Sequence, residues 1–313
     1  GGNHWTSRAD PLHFLINTGW AQAARADGGV ASSYTRIGQL GTDGKVIRSL
    51  IQVEPAPGLP GYLVVVDDVT PVENPQARCD WFLHPRGEQA GPRSRPVWTT
   101  CDFLNFPPKD VSLEVCLPPE GLEYELKPDG CHLGGGSFQP GKYLDVHWNG
   151  PRRFWAVLRP APPGAALPAA TDLPRNLGIR TTGGDLLLVR PMGEDILQFE
   201  GFRTDAAVLI TRDSGKDFCL AIAAKSATLP DGLGFEASAP VLITIRGDQG
   251  AVFCDRPHKQ PEPMAPVKIV LHDPRIKAGR SVRLDGRNAG RTAGGTLELS
   301  ISAPGHHSWR ILH

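Results

Sequence analysis

Two histidines near the start of the chain, His4 and His13, stand on either side of Asp10. A neutral imidazole is a common metal ligand, although a site needs two or three further ligands around the same ion. This spacing predicts a divalent metal, zinc or calcium, bound by His4 and His13. The alternative is that each histidine is hydrogen-bonded at the end of a strand, and a slip of one residue in strand register would turn His13 to the opposite face.

Asp67 and Asp68 are a second place where side chains could do chemistry, because paired carboxylates act as acid and base in glycosidases. Adjacent residues of a strand point to opposite faces, so these two are not expected to flank one bond. Gly134–Gly136 shares only its glycines with a phosphate-binding loop, because no Gly-Lys-Ser/Thr follows. We expect a hairpin tip there.

Tryptophan side chains form a third group, because an exposed indole ring offers a flat apolar face on which a sugar can stack. Trp20, Trp98 and Trp148 are predicted to bind carbohydrate if they share an exposed face. Trp81 and Trp155 lie within apolar runs and are expected to pack in the core instead.

The elements that position these side chains are predicted to be strands. The chain has 36 glycines and 30 prolines, together about a fifth of its residues against roughly 12% in average usage, so long helices are not expected. Short strand-like runs bounded by Gly, Pro, Asp or Asn recur throughout. We therefore predict an all-β fold, a large antiparallel β-sandwich of several sheets (a supersandwich) with a small C-terminal β module.

Two proline-rich stretches interrupt the series of predicted strands. The first, near residues 160–174, is predicted to be a stiff connector inside a β-supersandwich domain of residues 1–262. The second, Pro257 to Pro266, separates residues 263–313, which are predicted to form the small β module.

The residues from Leu63 to Val66 are continuously apolar, which predicts a strand covered on both faces. We expect Asp67 and Asp68 to close this strand and Thr70-Pro71 to form a turn, because proline has no N–H to donate to the ladder. Arg78 to His84 is predicted to be the next strand.

Charge and cysteine content exclude several classes of protein. The 33 basic residues balance 33 acidic ones, so neither nucleic acid nor an anionic membrane is expected as a partner, and no apolar run is long enough for a membrane helix. The six cysteines contain no C-x-x-C pair, which favours free buried thiols. Disulfides stay open as an alternative, above all within the segment from Cys79 to Cys131, which contains four of the six cysteines. The Gly-Gly-Asn start indicates a cut end, with any secretion signal upstream.

The order of these pieces resembles the C-terminal, all-β half of the heparinase II/III-like polysaccharide lyases. Arg48 to Val53, followed by the apolar strand at Tyr62 that ends in acidic residues, is similar to consecutive strands of that family. Trp81-Phe-Leu-His84 is similar to its Trp-x-x-His strand. Asn3-His4 with Arg8-Ala-Asp10 is similar to its Asn-His-x-His-x-Asp segment, although Arg8 stands where the second histidine would be and a guanidinium cannot bind a metal.

The resemblance implies an exported bacterial protein, periplasmic or extracellular, that cleaves acidic, uronate-containing polysaccharide by β-elimination. This chemistry needs a neutralised carboxylate, a base at C5 and an acid for the leaving oxygen, all within hydrogen-bond reach of one sugar. The candidates in this chain are His4, His13, Tyr34, Arg36, Arg48 and His84. In the family an upstream helical toroid carries a catalytic tyrosine and other groups. We therefore expect this chain to be inactive alone and to require an N-terminal toroid domain or chain.

Two other classes of function stay open. The abundance of tryptophan and the lack of a complete acid/base set favour a non-catalytic carbohydrate-binding or scaffold β-sandwich. The start of the chain also suggests a sandwich that assembles with a partner chain.

Overall fold

Strands make up almost all of the regular structure, as the sequence predicts. The computed structural model describes residues 14–17, 21–30, 44–56, 59–71, 74–83, 88–91, 95–99, 112–133, 137–161, 166–216, 218–254 and 265–312. Within these residues there is no α-helix, and the two helical segments are single 3₁₀ turns at Pro174–Asn176 and Asp213–Gly215. The all-β fold class is therefore confirmed.

The strands are numbered in chain order. The first eleven are β1 Phe14–Asn17, β2 Ala21–Val30, β3 Gly44–Val53, β4 Tyr62–Pro71, β5 Arg78–Leu83, β6 Glu88–Ala90, β7 Val97–Thr99, β8 Ser112–Cys116, β9 Glu123–Leu133, β10 Ser137–Asn149 and β11 Arg152–Ala161. The remainder are β12 Ala170–Asp172, β13 Gly178–Thr181, β14 Asp185–Val189, β15 Leu197–Phe199, β16 Phe202–Thr204, β17 Val208–Arg212, β18 Phe218–Thr228, β19 Gly234–Arg246, β20 Gln249–Cys254, β21 Val267–His272, β22 Ser281–Leu284, β23 Arg287–Arg291, β24 Thr296–Ile301 and β25 Gly305–Ile311.

The chain divides into two compact units inside the predicted proline-rich connector. The first unit includes Asp27–Pro168, and the second includes Pro11–Ala26 and Ala169–His313. The boundary predicted at residue 262 falls inside the second of these units. Strands β21 to β25 join the same sheet as β13 to β20, and their apolar side chains share one core with those strands. Residues 267–311 thus complete the second unit.

The first unit is a sandwich of two antiparallel layers. One layer has the strand order β3-β4-β11-β8-β7-β6, and the other is a three-stranded sheet with the order β5-β10-β9. Alternate side chains of the two sheets meet in a common core, as expected for strands with one apolar face. Its buried members are Val65, Trp81, Val115, Leu117, Leu144, Val146, Trp148, Phe154 and Ala156.

Strand β4 continues past the point where the sequence predicts that it ends. Val64, Val65 and Val66 are buried, as predicted, but Asp67 and Asp68 lie within the strand, which runs to Pro71. The prediction of a turn at Thr70-Pro71 is wrong, because both residues lie within the strand. The two acidic residues do not end the strand, since each has an arginine partner on a neighbouring strand. Asp67 is ion-paired with Arg48 of β3, and Asp68 with Arg153 of β11. The strand can therefore carry both charges.

The second unit is built around one long, bent pair of strands. The order of its main sheet is β12-β13-β14-β17-β18-β19-β20-β25-β22-β23. The ladder between β18 and β19 contains register shifts on either side of Ala224, and Ala223 has φ 52°. Such bulges bend a strand pair. As a result β18 pairs first with β17 and then with β16, while β19 pairs first with β21 and then with β20.

The cysteines whose side chains the structure describes are free thiols: Cys79, Cys116, Cys219 and Cys254. Burial raises the pKa of Cys219 to about 12 and those of Cys116 and Cys254 to about 11. Because the thiolate is the nucleophile, these three thiols are expected to be poorly reactive in the folded protein.

Thiol labelling tests this. At pH 8 we expect Cys116 and Cys254 to react with iodoacetamide roughly 100-fold more slowly in the folded chain than in urea, since each pKa unit above the ordinary value removes a factor of ten in thiolate. For Cys219, whose pKa is raised further, we expect roughly 1000-fold. The difference should shrink as the pH rises towards the raised pKa. Mass spectrometry of the cysteine peptides gives each rate separately, and equal rates in both states would contradict the burial.

Candidate functional site

Most of the residues singled out from the sequence lie outside the described residues. These are His4, His13, Trp20, Tyr34, Arg36 and His84. The metal site at His4 and His13 therefore stays a prediction. The backbone of Trp98 lies in β7, but its side chain is outside the described part.

Arg48 is the one candidate catalytic residue with a described side chain, and it is held in an ion pair. Its Nε and Nη2 atoms donate to the two carboxylate oxygens of Asp67 at 2.7 and 2.6 Å. The two residues are directly opposite in the β3–β4 ladder, and Asp67 is buried. This hydrogen bond is the main reason that the pKa of Arg48 is raised. The pair is bidentate and stabilises the sheet.

Trp148 is not available for stacking on a sugar in this fold. Its side chain is buried, its ring stacks on Phe154 with centroids 5.2 Å apart, and its Nε1 donates to the Gly150 carbonyl. At Trp148 the condition of the prediction, an exposed face, is therefore not met. Trp81 and Trp155 are also buried, which confirms the prediction that they pack in the core.

The face of the three-stranded sheet that points away from this core carries charged side chains. Because side chains alternate along a strand, Trp81 and Trp148 face inwards while their neighbours in sequence face outwards. We call this outer face the polar face. Its members are Arg78 and Asp80 of β5, Asp145 and His147 of β10, and Glu123, Glu125 and Lys127 of β9.

Asp145 lies at the centre of the polar face with its side chain only 1% exposed. Its Oδ2 atom accepts a hydrogen bond from Lys127 Nζ and is 3.4 Å from Arg78 Nη2. Arg78 also donates to Asp80, 2.7 Å away. These bonds raise the pKa of Lys127, mainly through Asp145, and that of Arg78, mainly through Asp80. Both cations are thus already engaged by carboxylates.

His147 lies beside Asp145 and is held from its other side. Its Nε2 atom is 2.9 Å from Glu123 Oε2, a hydrogen bond between neighbouring strands. Its Nδ1 atom points to Asp145 Oδ1 at 3.7 Å. Both of these facing atoms are buried and have no hydrogen-bond partner. Buried polar atoms in proteins are rarely left unpaired, so this gap needs an explanation.

The charge balance of the polar face favours a cation over an anion. The four carboxylates of Asp80, Glu123, Glu125 and Asp145 outnumber the two cations, Arg78 and Lys127. One potential ligand atom from each of Asp80, Asp145 and His147 lies within 4.8 Å of the others. None of these three residues was predicted from the sequence to bind a metal. The signal was present in the alternation Asp145-x-His147 between inward-facing apolar residues, but the partners on β5 and β9 depend on the pairing.

No protein-family model matches the chain, and no curated protein sequence matches it significantly. In the residues that the structure describes, no helix is long and apolar enough to cross a membrane.

Proposed function

We propose that this chain is the β-sheet portion of a polysaccharide lyase that cleaves uronate-containing acidic polysaccharide by β-elimination. The observation that supports this most is that three stretches that resemble heparinase II/III-like lyases lie close together in the fold. In chain order they begin at Arg48, Tyr62 and Trp81. Arg48 of the first is paired with Asp67 of the second. Phe154 stands opposite Asp67 in the β4–β11 ladder and contacts Trp81 of the third, with ring centroids 5.0 Å apart. Stretches that are separate in sequence thus meet in one sandwich.

The catalytic groups in this proposal come mainly from a helical toroid, as a further domain or a partner chain. β-Elimination needs free cationic groups for the uronate carboxylate, together with a base and an acid at one sugar. In the part of the chain that the structure describes, Arg48 is engaged by Asp67, and the cations beside His147 are engaged by carboxylates. We accordingly propose an exported bacterial protein of the periplasm or the extracellular space, in which this chain supports and shapes the substrate site.

An activity assay tests the proposal. The chain alone is incubated with a panel of uronate polysaccharides, and the absorbance of the unsaturated product is followed. We expect no turnover by the chain alone, and turnover of at least one polymer when the natural protein that contains the toroid is used.

Three results would contradict the proposal. Rapid turnover by the chain alone would show that it carries a complete catalytic set. If the natural longer protein binds glycans without cleaving them, a non-catalytic carbohydrate-binding module is favoured. If it shows neither binding nor cleavage, both functions are contradicted.

A further inference from the structure

We propose that Asp80, Asp145 and His147 bind a divalent cation on the polar face, and that zinc is the metal that this donor set fits best. The site is separate from the metal predicted at His4 and His13, and it does not depend on the lyase proposal. It rests on three observations: two buried atoms without partners, the hydrogen bond between His147 and Glu123, and a third carboxylate within reach.

The first observation is the gap between Asp145 Oδ1 and His147 Nδ1. At 3.7 Å the two atoms are too far apart for a hydrogen bond. A second carboxylate–histidine pair in the same chain shows what a proton between such atoms produces, since His307 Nδ1 is 2.7 Å from Asp285 Oδ2. Ligands bound to one zinc ion at 2.0–2.2 Å are about 3–4 Å apart. The gap at Asp145 and His147 has the spacing of two metal ligands.

The second observation is the hydrogen bond that orients the imidazole. Glu123 Oε2 can only accept a hydrogen bond when it is ionised, so the proton of a neutral His147 ring is on Nε2. The Nδ1 lone pair then points at a carboxylate oxygen, which is repulsive unless a cation lies between them. Metal-binding histidines commonly donate their other N–H to a carboxylate in this way. Glu123 is therefore placed as the group that orients the ligand.

The third observation is the charge and the third ligand. Asp80 is directly opposite His147 in the β5–β10 ladder, and one of its potential ligand atoms already lies within 4.8 Å of those of Asp145 and His147. Its Oδ1 atom accepts a hydrogen bond from Arg78 Nε, and its side chain is 30% exposed, which leaves room for water ligands. Arg78 and Lys127 hold only the other oxygen of Asp145. With His147 neutral, the polar face has an excess of two negative charges, which a divalent cation neutralises. Imidazole with carboxylate suits zinc.

Calorimetric titration of the metal-stripped chain with ZnCl2 tests the site. Asp145 also partners Lys127 and Arg78, so the informative variants are D80N and H147Q, whose fold is checked by circular dichroism and by the urea midpoint. We expect each to lose one zinc equivalent or to bind it at least 10-fold more weakly. E123Q is expected to weaken the same equivalent by about 10- to 100-fold, the usual effect of removing the group that orients a metal-binding histidine.

The matched control is H307Q, which removes a histidine that is paired with a carboxylate but has no such gap. It should bind zinc as the parent chain does. Titration with Co²⁺ adds a second readout, because the equivalent lost in H147Q should show no sulfur-to-metal charge-transfer band. The inference is overturned if folded D80N and H147Q retain every zinc equivalent of the parent, if H307Q loses as much as H147Q, or if the lost equivalent is bound through cysteine.

Discussion

Replacing Asp185 by asparagine is expected to destabilise the second unit by about 3–5 kcal/mol, because it leaves a buried guanidinium without its carboxylate. Asp185 of β14 and Arg212 of β17 are directly opposite each other, and both side chains are 5% exposed. Arg212 donates from Nε and Nη2 to the two oxygens of Asp185 at 2.6 and 3.0 Å. Its guanidinium carbon also lies 5.2 Å from the centre of the Phe218 ring.

The loss of stability in D185N follows from removing one partner of the ion pair, so it does not measure the net contribution of the pair to the stability of the fold. Two charges taken out of water lose hydration that their attraction only partly returns, so an apolar pair of similar volume can be equally stable. The double variant D185L/R212M is therefore expected to be less destabilised than D185N alone. This non-additivity distinguishes a desolvated ion pair from two independent contacts.

Equilibrium urea unfolding followed by circular dichroism measures these differences, and hydrogen exchange of peptides from residues 169–313 shows that the effect lies in the second unit. The matched control is E200Q, which breaks the Arg180–Glu200 pair, with side chains 44% and 51% exposed. It should cost less than about 1 kcal/mol, since exposed pairs contribute little. A loss of under 1 kcal/mol in D185N would contradict the burial of its partner.

The all-β class and much of the core could be predicted because they depend on local patterns. Short apolar runs between turn residues indicate strands, and the alternation at Asp67 and Asp68 predicts that the two acids face opposite ways. The structure agrees, since Asp67 is directly opposite the core residue Phe154 in the β4–β11 ladder, whereas Asp68 is opposite Arg153, whose side chain lies on the other face. Burial of the apolar run before them needs no knowledge of the partners either.

Strand pairing could not be predicted, and the errors follow from it. Asp68 is 85 residues from Arg153 in sequence, and no local signal indicates that the two are opposite. Without that partner, two adjacent acids after an apolar run indicate the end of a strand. The polar face was missed for the same reason: Asp80 and His147 are neighbours only through the β5–β10 register. Alternation also does not show which face of a strand is covered by another sheet, so the burial of Trp148 could not be predicted from the sequence.

Phe154 is the side chain whose loss should most affect the first unit. It is fully buried between the two layers, stacked on Trp148 with an interplanar angle of 7° and tilted against Trp81 with centroids 5.0 Å apart. Truncating a buried phenylalanine to alanine removes its apolar surface from the core and leaves a cavity, which costs about 3–5 kcal/mol. Each lost aromatic pair adds about 0.5–1.5 kcal/mol to this. We therefore expect F154A to lie at the upper end of that range.

Unfolding of F154A in urea, followed by tryptophan fluorescence, tests this, because two of its ring partners are themselves the reporters. F154L keeps most of the volume and should be less destabilised. Phe82 of β5 provides the matched control: it is 48% exposed, and F82A should cost less than about 1 kcal/mol. Because Phe154 joins the layer that carries Asp67 to the layer that carries Trp81, equal stability of F154A and F82A would mean that the two sheets do not pack on each other through this ring.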